Sequence, residues 1–183
     1  MANSDFDNFV RRQQAKKQKA EEFDVGLELD EWRGFLDELY LDVEKFMATY
    51  LADGQATISY QKIELNEEFS GPYEARQMSL SIGPSVIVFK PIGTMLIGSK
   101  GRVDVQGPYG SARLVLVNRN IRQPRQLIQV SISTPGIPAV SADTQSSEPI
   151  EWVWKLVTPA PSMRLIDLSE ESFFEMVLSI ADA

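Results

Sequence analysis

Residues 29–50, LDEWRGFLDELYLDVEKFMATY, carry the strongest secondary-structure pattern in the chain. Apolar residues recur three and four positions apart through Leu29, Trp32, Leu36, Leu39, Val43, Phe46 and Tyr50. This spacing places them on one side of a helix and predicts a helix from about residue 28 to about residue 52. A coiled coil has a similar seam, but the aromatic content and the short length of this one favour a helix lying across a sheet.

The acidic residues of the same helix fall outside the apolar seam. They include Glu31, Asp37, Glu38, Asp42 and Glu44. A helix face of this charge attracts a basic partner and steers its approach at low salt. The sequence therefore predicts a partner-binding surface on the outer face of the helix.

From Gln55 onward the apolar period changes to two, which is typical of strands half buried in a sheet. We expect strands near residues 57–65, 78–82, 86–90, 95–97, 102–105, 112–117, 128–132, 152–157 and 163–166. The runs at 86–89 and 114–117 lack alternation, which predicts strands covered on both faces. Trp32 is expected to pack in the core beside one of the two sheet tryptophans, Trp152 or Trp154.

Short Gly- and Pro-containing turns separate these strands, and no helical crossover pattern appears between residues 55 and 157. Such short connections join antiparallel neighbours, because parallel strands need a crossover of about a dozen residues. A final helix is expected after Asp167 or Ser169, either of which can cap it. The predicted fold is α+β: an antiparallel meander sheet of about six to eight strands covered by a long N-terminal helix and a C-terminal helix.

Two segments lack a pattern that would bury them. Residues 1–24 contain a run of good helix formers without an apolar face, so we expect a solvated helix or a disordered arm. Residues 134–149 form a long connection that is either mobile or functional. The expected organisation is thus an arm at 1–24 and one α+β domain at 25–183 with a mobile loop at 134–149.

The chain contains His 0 and Cys 0, which excludes imidazole-based catalytic triads, thiol nucleophiles and the usual zinc, haem and iron–sulfur sites. We therefore expect no catalytic residue, no cofactor and no metal, and a binding protein rather than an enzyme. The net charge is −8 and the first residues lack the charge pattern of a secretory signal. These features predict a cytoplasmic, acidic protein that does not enter a membrane.

Basic residues gather on the turns of the predicted meander: Lys100, Arg102, Arg119, Arg122 and Arg125. If those turns share one edge of the sheet, they form a patch with Tyr109 that could bind phosphate groups of a nucleic acid. Asp104, Glu151 and Lys155 are the sheet-borne candidates for a carboxylate and metal site.

The composition favours a non-catalytic protein-binding module: an accessory subunit, a chaperone or an immunity-type neutraliser of a basic partner. Nucleic-acid binding through the basic patch and carboxylate- or metal-dependent hydrolysis are the two alternatives. A homodimer through the heptad-like apolar seam is a further expectation to be tested by the structure.

Overall fold

The computed structural model describes residues 2–68, 70–94, 99–123, 151–159 and 163–182. Its helices are α1 (Ala2–Phe46), α2 (Ala48–Ala52) and α3 (Glu170–Ala181). Its strands are β1 (Ala56–Glu67), β2 (Gly71–Ile82), β3 (Ser85–Gly93), β4 (Gly101–Gln106), β5 (Ser111–Asn118), β6 (Trp152–Val157) and β7 (Leu165–Asp167).

The seven strands form one sheet in the order β1-β2-β3-β4-β5-β6-β7, and each neighbouring pair is antiparallel. This arrangement confirms the predicted α+β fold with an antiparallel meander. The strands expected at 95–97 and 128–132 and the loop expected at 134–149 lie outside the described residues. The division of the chain at residue 24 stays a prediction, although the backbone of α1 continues through that position.

The main core lies between one face of the sheet and the helices. Trp32 of α1 packs against Trp154 of β6 with ring centroids 6.0 Å apart, as the sequence predicts. Phe173 of α3 stacks on Phe89 of β3 at 6.4 Å. Both helices therefore cover the same sheet face, and the apolar seam of α1 is used within the chain's own core. A homodimer through that seam is wrong as a prediction for this reason.

The apolar runs at residues 86–89 and 114–117, which lack alternation, differ in burial. Leu114 through Val117 of β5 are all buried, because Leu165, Ile121 and Val157 form a second small cluster with Val115 and Val117 on the opposite face. In β3, by contrast, Ile87 and Phe89 are buried while Val86 is exposed. The prediction of two-sided burial holds for β5 and is wrong for β3.

The hairpin of β1 and β2 extends past the rest of the sheet. The register of β2 with β3 covers only Met78 to Ile82, so Gly71–Gln77 pairs with β1 alone among the described strands. Helix α1 lies at the edge that β3 leaves open: Arg33 Nε donates to the Glu74 carbonyl (3.2 Å) and Tyr40 Oη to the Arg76 carbonyl (2.5 Å). Side chains of the helix thus satisfy carbonyls that a neighbouring strand would otherwise bind.

Two local features explain particular residues. Gly101 has no positive φ; a Cβ at this position would lie 2.0 Å from the Trp32 ring, so the close approach of that ring requires the glycine. Ser169 is the N-cap of α3 and forms a capping box with Ser172. Of the two caps expected from the sequence, Ser169 is therefore the one used.

No helix in the described ranges combines the length and the apolarity that are needed to cross a membrane.

Candidate functional site on the outer face of the first helix

The outer face of α1 lies opposite its buried seam and carries an apolar stripe. Leu27, Gly34 and Leu41 are seven residues apart, so they lie within about 40° of one another around the helix. Leu27 is 54% exposed and Leu41 is 52% exposed, and Gly34 is also exposed. We call these three residues the outer stripe. Leu27 and Leu41 lie about 21 Å apart along this helix face, with Gly34 midway between them.

Acidic residues border the outer stripe on both sides. Between residues 28 and 46 the helix carries seven acidic residues, namely Glu28, Asp30, Glu31, Asp37, Glu38, Asp42 and Glu44, against the basic Arg33 and Lys45. This set contains every partner-binding residue expected from the sequence.

The sheet supplies cations to two of these acids. Asp37 accepts a 2.5 Å hydrogen bond from Arg76 of β2, and this bond raises the pKa of the Arg76 guanidinium. Glu31 forms an ion pair with Lys100, which precedes β4. Subtracting these two sheet cations and the two helical ones from seven acids leaves a net charge of −3 along this part of α1.

The other three acids have different surroundings. Asp42 pairs with Lys45 on the same helix at 2.9 Å, and Glu44 accepts a hydrogen bond from Tyr60 Oη at 2.5 Å. Glu38 is exposed and, with Asp42, lines a shallow groove of about 250 Å³ that also includes Arg119 and Trp152. The structure therefore keeps Glu31, Asp37, Glu38 and Asp42 at the border of the stripe and turns Glu44 toward β1.

The basic residues expected to bind nucleic acid do not form one patch. Lys100 lies on the helix side of the sheet, with Nζ 5.3 Å from the Trp152 ring centroid. Arg102 lies beside Val115 in the register and binds Asp104 through two hydrogen bonds of 2.7 Å on the opposite face. Arg119 pairs with Glu151 at 2.6 Å. These guanidinium and ammonium groups are engaged by the chain's own acids.

The remaining residues of the expected basic patch do not lie together either. Lys100 and Arg119 share one end of the sheet, whereas exposed Tyr109 lies at the other end, where its N–H donates to the Ile180 carbonyl (2.9 Å). Arg122 follows β5 and accepts a backbone hydrogen bond from Leu165 at 3.4 Å. Arg125 lies outside the described residues.

The three candidates for a hydrolytic site are each engaged by other residues of the chain. Asp104 is held by Arg102, Glu151 by Arg119, and buried Lys155 pairs with Asp167 at 2.9 Å while donating to the Arg119 carbonyl at 2.8 Å. Within the ranges that the structure describes, no three side chains of the metal-binding types His, Cys, Asp or Glu converge.

The sequence reasoning missed the outer stripe itself. Its signal was present, because Leu27, Gly34 and Leu41 repeat every seven residues on the side opposite the seam. The apolar seam predicts which side of the helix is buried, whereas only the packing on the sheet shows that leucines on the opposite side stay exposed. Arg76 was also missed, since nothing in the sequence relates a strand residue to Asp37.

Comparison of the chain with protein-family models, curated proteins and solved structures finds no match.

Proposed function

We propose that the protein is a non-catalytic protein-binding module whose outer stripe and acidic border on α1 receive a basic partner. The single observation that carries this proposal is Gly34. It lies in the middle of a long helix, and a Cβ added there meets nothing within 4 Å. Nothing in the described fold needs a glycine at this position.

A glycine inside an exposed helix is unfavourable. Relative to alanine it lowers helix stability by about 0.5–1 kcal/mol, because the unfolded backbone has more freedom to lose. We therefore expect an interaction with a binding partner, rather than a contact within the chain, to offset this loss of helix stability. A missing side chain lets the backbone of a partner approach the helix closely, which supports a contact centred on Gly34.

The surroundings of Gly34 have the composition of a protein interface. Leu27 and Leu41 supply exposed apolar side chains on either side of Gly34, and Glu31, Glu38 and Asp42 supply a charged border on one side. Specific interfaces commonly combine an apolar centre with a polar rim. This surface would repel a small anionic ligand, because its net charge is negative.

The acidic border sets the chemistry of the partner. With a net charge of −3 after the internal pairs are counted, the face attracts a basic surface and repels an acidic one. These charges are exposed, so salt screens them over a Debye length of about 8–10 Å. We expect binding to weaken with ionic strength but to retain a part contributed by the two leucines.

The test compares three immobilised proteins: wild type, Gly34→Gln, and Leu178→Gln as the matched control on an exposed leucine of α3. Glutamine favours helix more than glycine does, so loss of binding by Gly34→Gln cannot be attributed to unfolding. The expected result is a basic protein from the native host that binds wild type and Leu178→Gln, is lost with Gly34→Gln, and elutes with salt. Equal capture by all three proteins would contradict the proposal.

A further inference from the structure

Strand β1 forms one edge of the sheet, because β2 is the only described strand that pairs with it. It runs over the 12 residues Ala56–Glu67, and its register with β2 continues without a shift. Edge strands are commonly short, bulged or interrupted by proline, and these features prevent them from pairing with other chains. Strand β1 is described over its full length and has none of them. The sheet therefore ends in a long and regular edge.

The hydrogen-bonding groups on this edge follow from the register. Glu74 and Arg76 of β2 turn their carbonyl groups toward α1, whose side chains bind them. Their register partners in β1 are Glu64 and Lys62. In an antiparallel pair, residues opposite each other either bond to one another or both point away from the pair. The N–H and C=O groups of Lys62 and Glu64 therefore point away from β2, to the side where no further strand of the described chain lies.

The alternation continues along the strand, so Ile58, Tyr60 and Asn66 also turn their N–H and C=O groups outward. Within the part of the chain that the structure describes, no backbone group bonds to them. The side chains here are open to solvent: Tyr60 is 39% exposed, and the Lys62 side chain is 75% exposed. A row of unsatisfied donors and acceptors on an accessible strand is a template for a further strand.

We propose that a second copy of the chain supplies that strand, so that the β1 strands of two molecules pair antiparallel about a two-fold axis at Ile63. The two 7-stranded sheets then join into one. A two-fold interface is self-complementary, so each residue of the edge must suit the residue that it meets on the other copy. This surface is separate from the outer stripe, and the inference goes beyond the proposed function.

Charge selects this register among those that the outward groups allow. Lys62 and Glu64 lie two positions apart on one face of the strand, so an axis at Ile63 sets each lysine opposite the glutamate of the other copy. The four charges then alternate in sign around a square, with like charges on its diagonals. An axis at residue 62 or 64 would set two lysines or two glutamates directly opposite each other. An axis at residue 61 would leave both groups without a charged partner.

Glu64 also lacks a cation within one chain. It lies opposite Glu74 in the hairpin, and among the described residues no Lys or Arg forms an ion pair with it. Glu74 itself binds Lys62 Nζ at 2.8 Å. An ammonium group has three donors, so Lys62 can bind Glu74 of its own chain and Glu64 of the second copy together. The pairing thus supplies a cation to a carboxylate that the single chain leaves beside another acid.

Apolar side chains meet on the other face of the pair. Ile63 meets its own copy at the axis, and Leu65 lies opposite Gln61 of the second copy. Both apolar residues are only half-buried in the single chain, and they already border the main core. In non-hydrogen-bonded pairs such as these the side chains lie close together, with Cα atoms about 4.5 Å apart. The contact therefore extends the core across the axis.

Cross-linking tests the register, since the chain contains Cys 0 and a single introduced thiol reports one contact. Ile63→Cys sets two thiols at the axis, where the Cα separation of about 4.5 Å lies within the range that a disulfide spans. We expect it to form a covalent dimer under mild oxidation, seen on a non-reducing gel. Gln61→Cys and Leu65→Cys should each stay unlinked alone, because like positions are about 13 Å apart along the strand, but they should link to each other when mixed.

Sedimentation equilibrium of the full chain measures the association itself. The monomer mass is 20.6 kDa, and we expect twice that mass for wild type. Glu64→Pro removes an outward N–H and no bond to β2, so it should raise the dissociation constant about tenfold or more while circular dichroism shows an unchanged fold. Lys62→Glu gathers four acids at the axis and should weaken the dimer as well. Lys62→Glu combined with Glu64→Lys should restore the wild-type dissociation constant.

A wild type that stays monomeric, or an Ile63→Cys variant that links no faster than Gln61→Cys alone, would overturn the pairing. If Glu64→Pro dimerises as well as wild type, the dimer forms through another surface. If Ile63→Cys links only to a different protein, that protein and not a second copy occupies the edge. Gly34→Gln lies outside the interface and should dimerise like wild type, so the result is independent of the proposed function.

Discussion

Glu31 on α1 and Lys100 before β4 form an ion pair that joins the two surfaces which the sequence presents as separate candidates. One is acidic and was expected to receive a partner; the other is basic and was expected to bind nucleic acid. Lys100 Nζ also lies 5.3 Å from the Trp152 ring centroid and 5.9 Å from that of Phe35. The ammonium group is thus held by the protein itself, which weakens the basis for a nucleic-acid patch.

Replacing Lys100 should therefore affect stability. Lys100→Gln removes a partly exposed ion pair worth about 0.2–1 kcal/mol and two cation–π contacts of comparable size. We expect a loss of about 1 kcal/mol in the free energy of unfolding, measured by urea denaturation. Glu31→Gln should lose less, because the aromatic contacts remain, and Glu38→Gln should change stability little. An equal effect of all three substitutions would contradict this account.

Replacement by alanine should change the free energy of unfolding in opposite directions at Gly34 of α1 and Gly101 of β4. At Gly101 the new Cβ would lie 2.0 Å from the Trp32 ring, and Trp32 is 1% exposed, so it has little room to move. We expect Gly101→Ala to lower the free energy of unfolding by about 3 kcal/mol. Gly34→Ala, which meets nothing within 4 Å, should raise it by about 0.5–1 kcal/mol. Urea denaturation of the two variants decides; a shift of the same sign in both would be inconsistent with these packing arguments.

Phe173 is the aromatic centre of the contact between α3, α1 and the sheet. Its ring lies 5.4 Å from that of Phe46 and 6.4 Å from that of Phe89. Phe173→Ala should cost about 3–5 kcal/mol, since it leaves a cavity that three elements surround. Leu178→Ala on the exposed side of the same helix should stay within about 0.5 kcal/mol of wild type. Thermal unfolding followed by circular dichroism measures both, and similar melting temperatures would show that α3 is not anchored in this way.

Alkaline pH should destabilise the fold through tyrosines near α1. Burial is the main cause that raises the pKa of Tyr40, Tyr60 and Tyr73, and hydrogen bonds to Glu44 and Glu67 raise the pKa of Tyr60 and Tyr73 further. The folded state then holds these protons more tightly than the unfolded chain, whose tyrosines ionise near pH 10. The stabilisation is complete below that pH and is lost progressively as the pH rises from there toward the higher pKa of the folded state.

The measurement is urea denaturation at several values between about pH 8 and about pH 11. We expect the free energy of unfolding to fall steadily above about pH 10, and the ultraviolet absorbance of tyrosinate to rise together with unfolding. Tyr40→Phe and Tyr73→Phe should each reduce the slope of stability against pH. A stability that does not change across this range would contradict the assignment.

Local pattern was enough to predict much of the architecture. The three- and four-residue spacing from Leu29 to Tyr50 predicted a helix on a sheet, and the short turns predicted antiparallel neighbours. Both are confirmed, as is the contact of Trp32 with a sheet tryptophan. These features depend on residues close together in the chain, which the sequence displays directly.

The candidate site was predicted less completely. The acidic residues of α1 lie outside its buried seam, as expected, but Glu44 turns toward β1, and the partners Arg76 and Lys100 lie 39 and 69 positions away in the chain. Two-sided burial of residues 86–89 was expected and is wrong, because the neighbours that cover a strand's second face lie elsewhere in the chain. Composition alone carries no information on such distant pairings.

By itself, the sequence determined which stretches become helix and strand, that the sheet is a meander, and that one side of α1 is charged. Only the tertiary structure decided which charges remain available, which leucines stay exposed, and that Gly34 has no neighbour to explain it. The physical reason is the separation along the chain over which each effect acts. Periodicity and turn chemistry depend on residues a few positions apart. Charge neutralisation and burial are set instead by residues that meet only after the chain has folded.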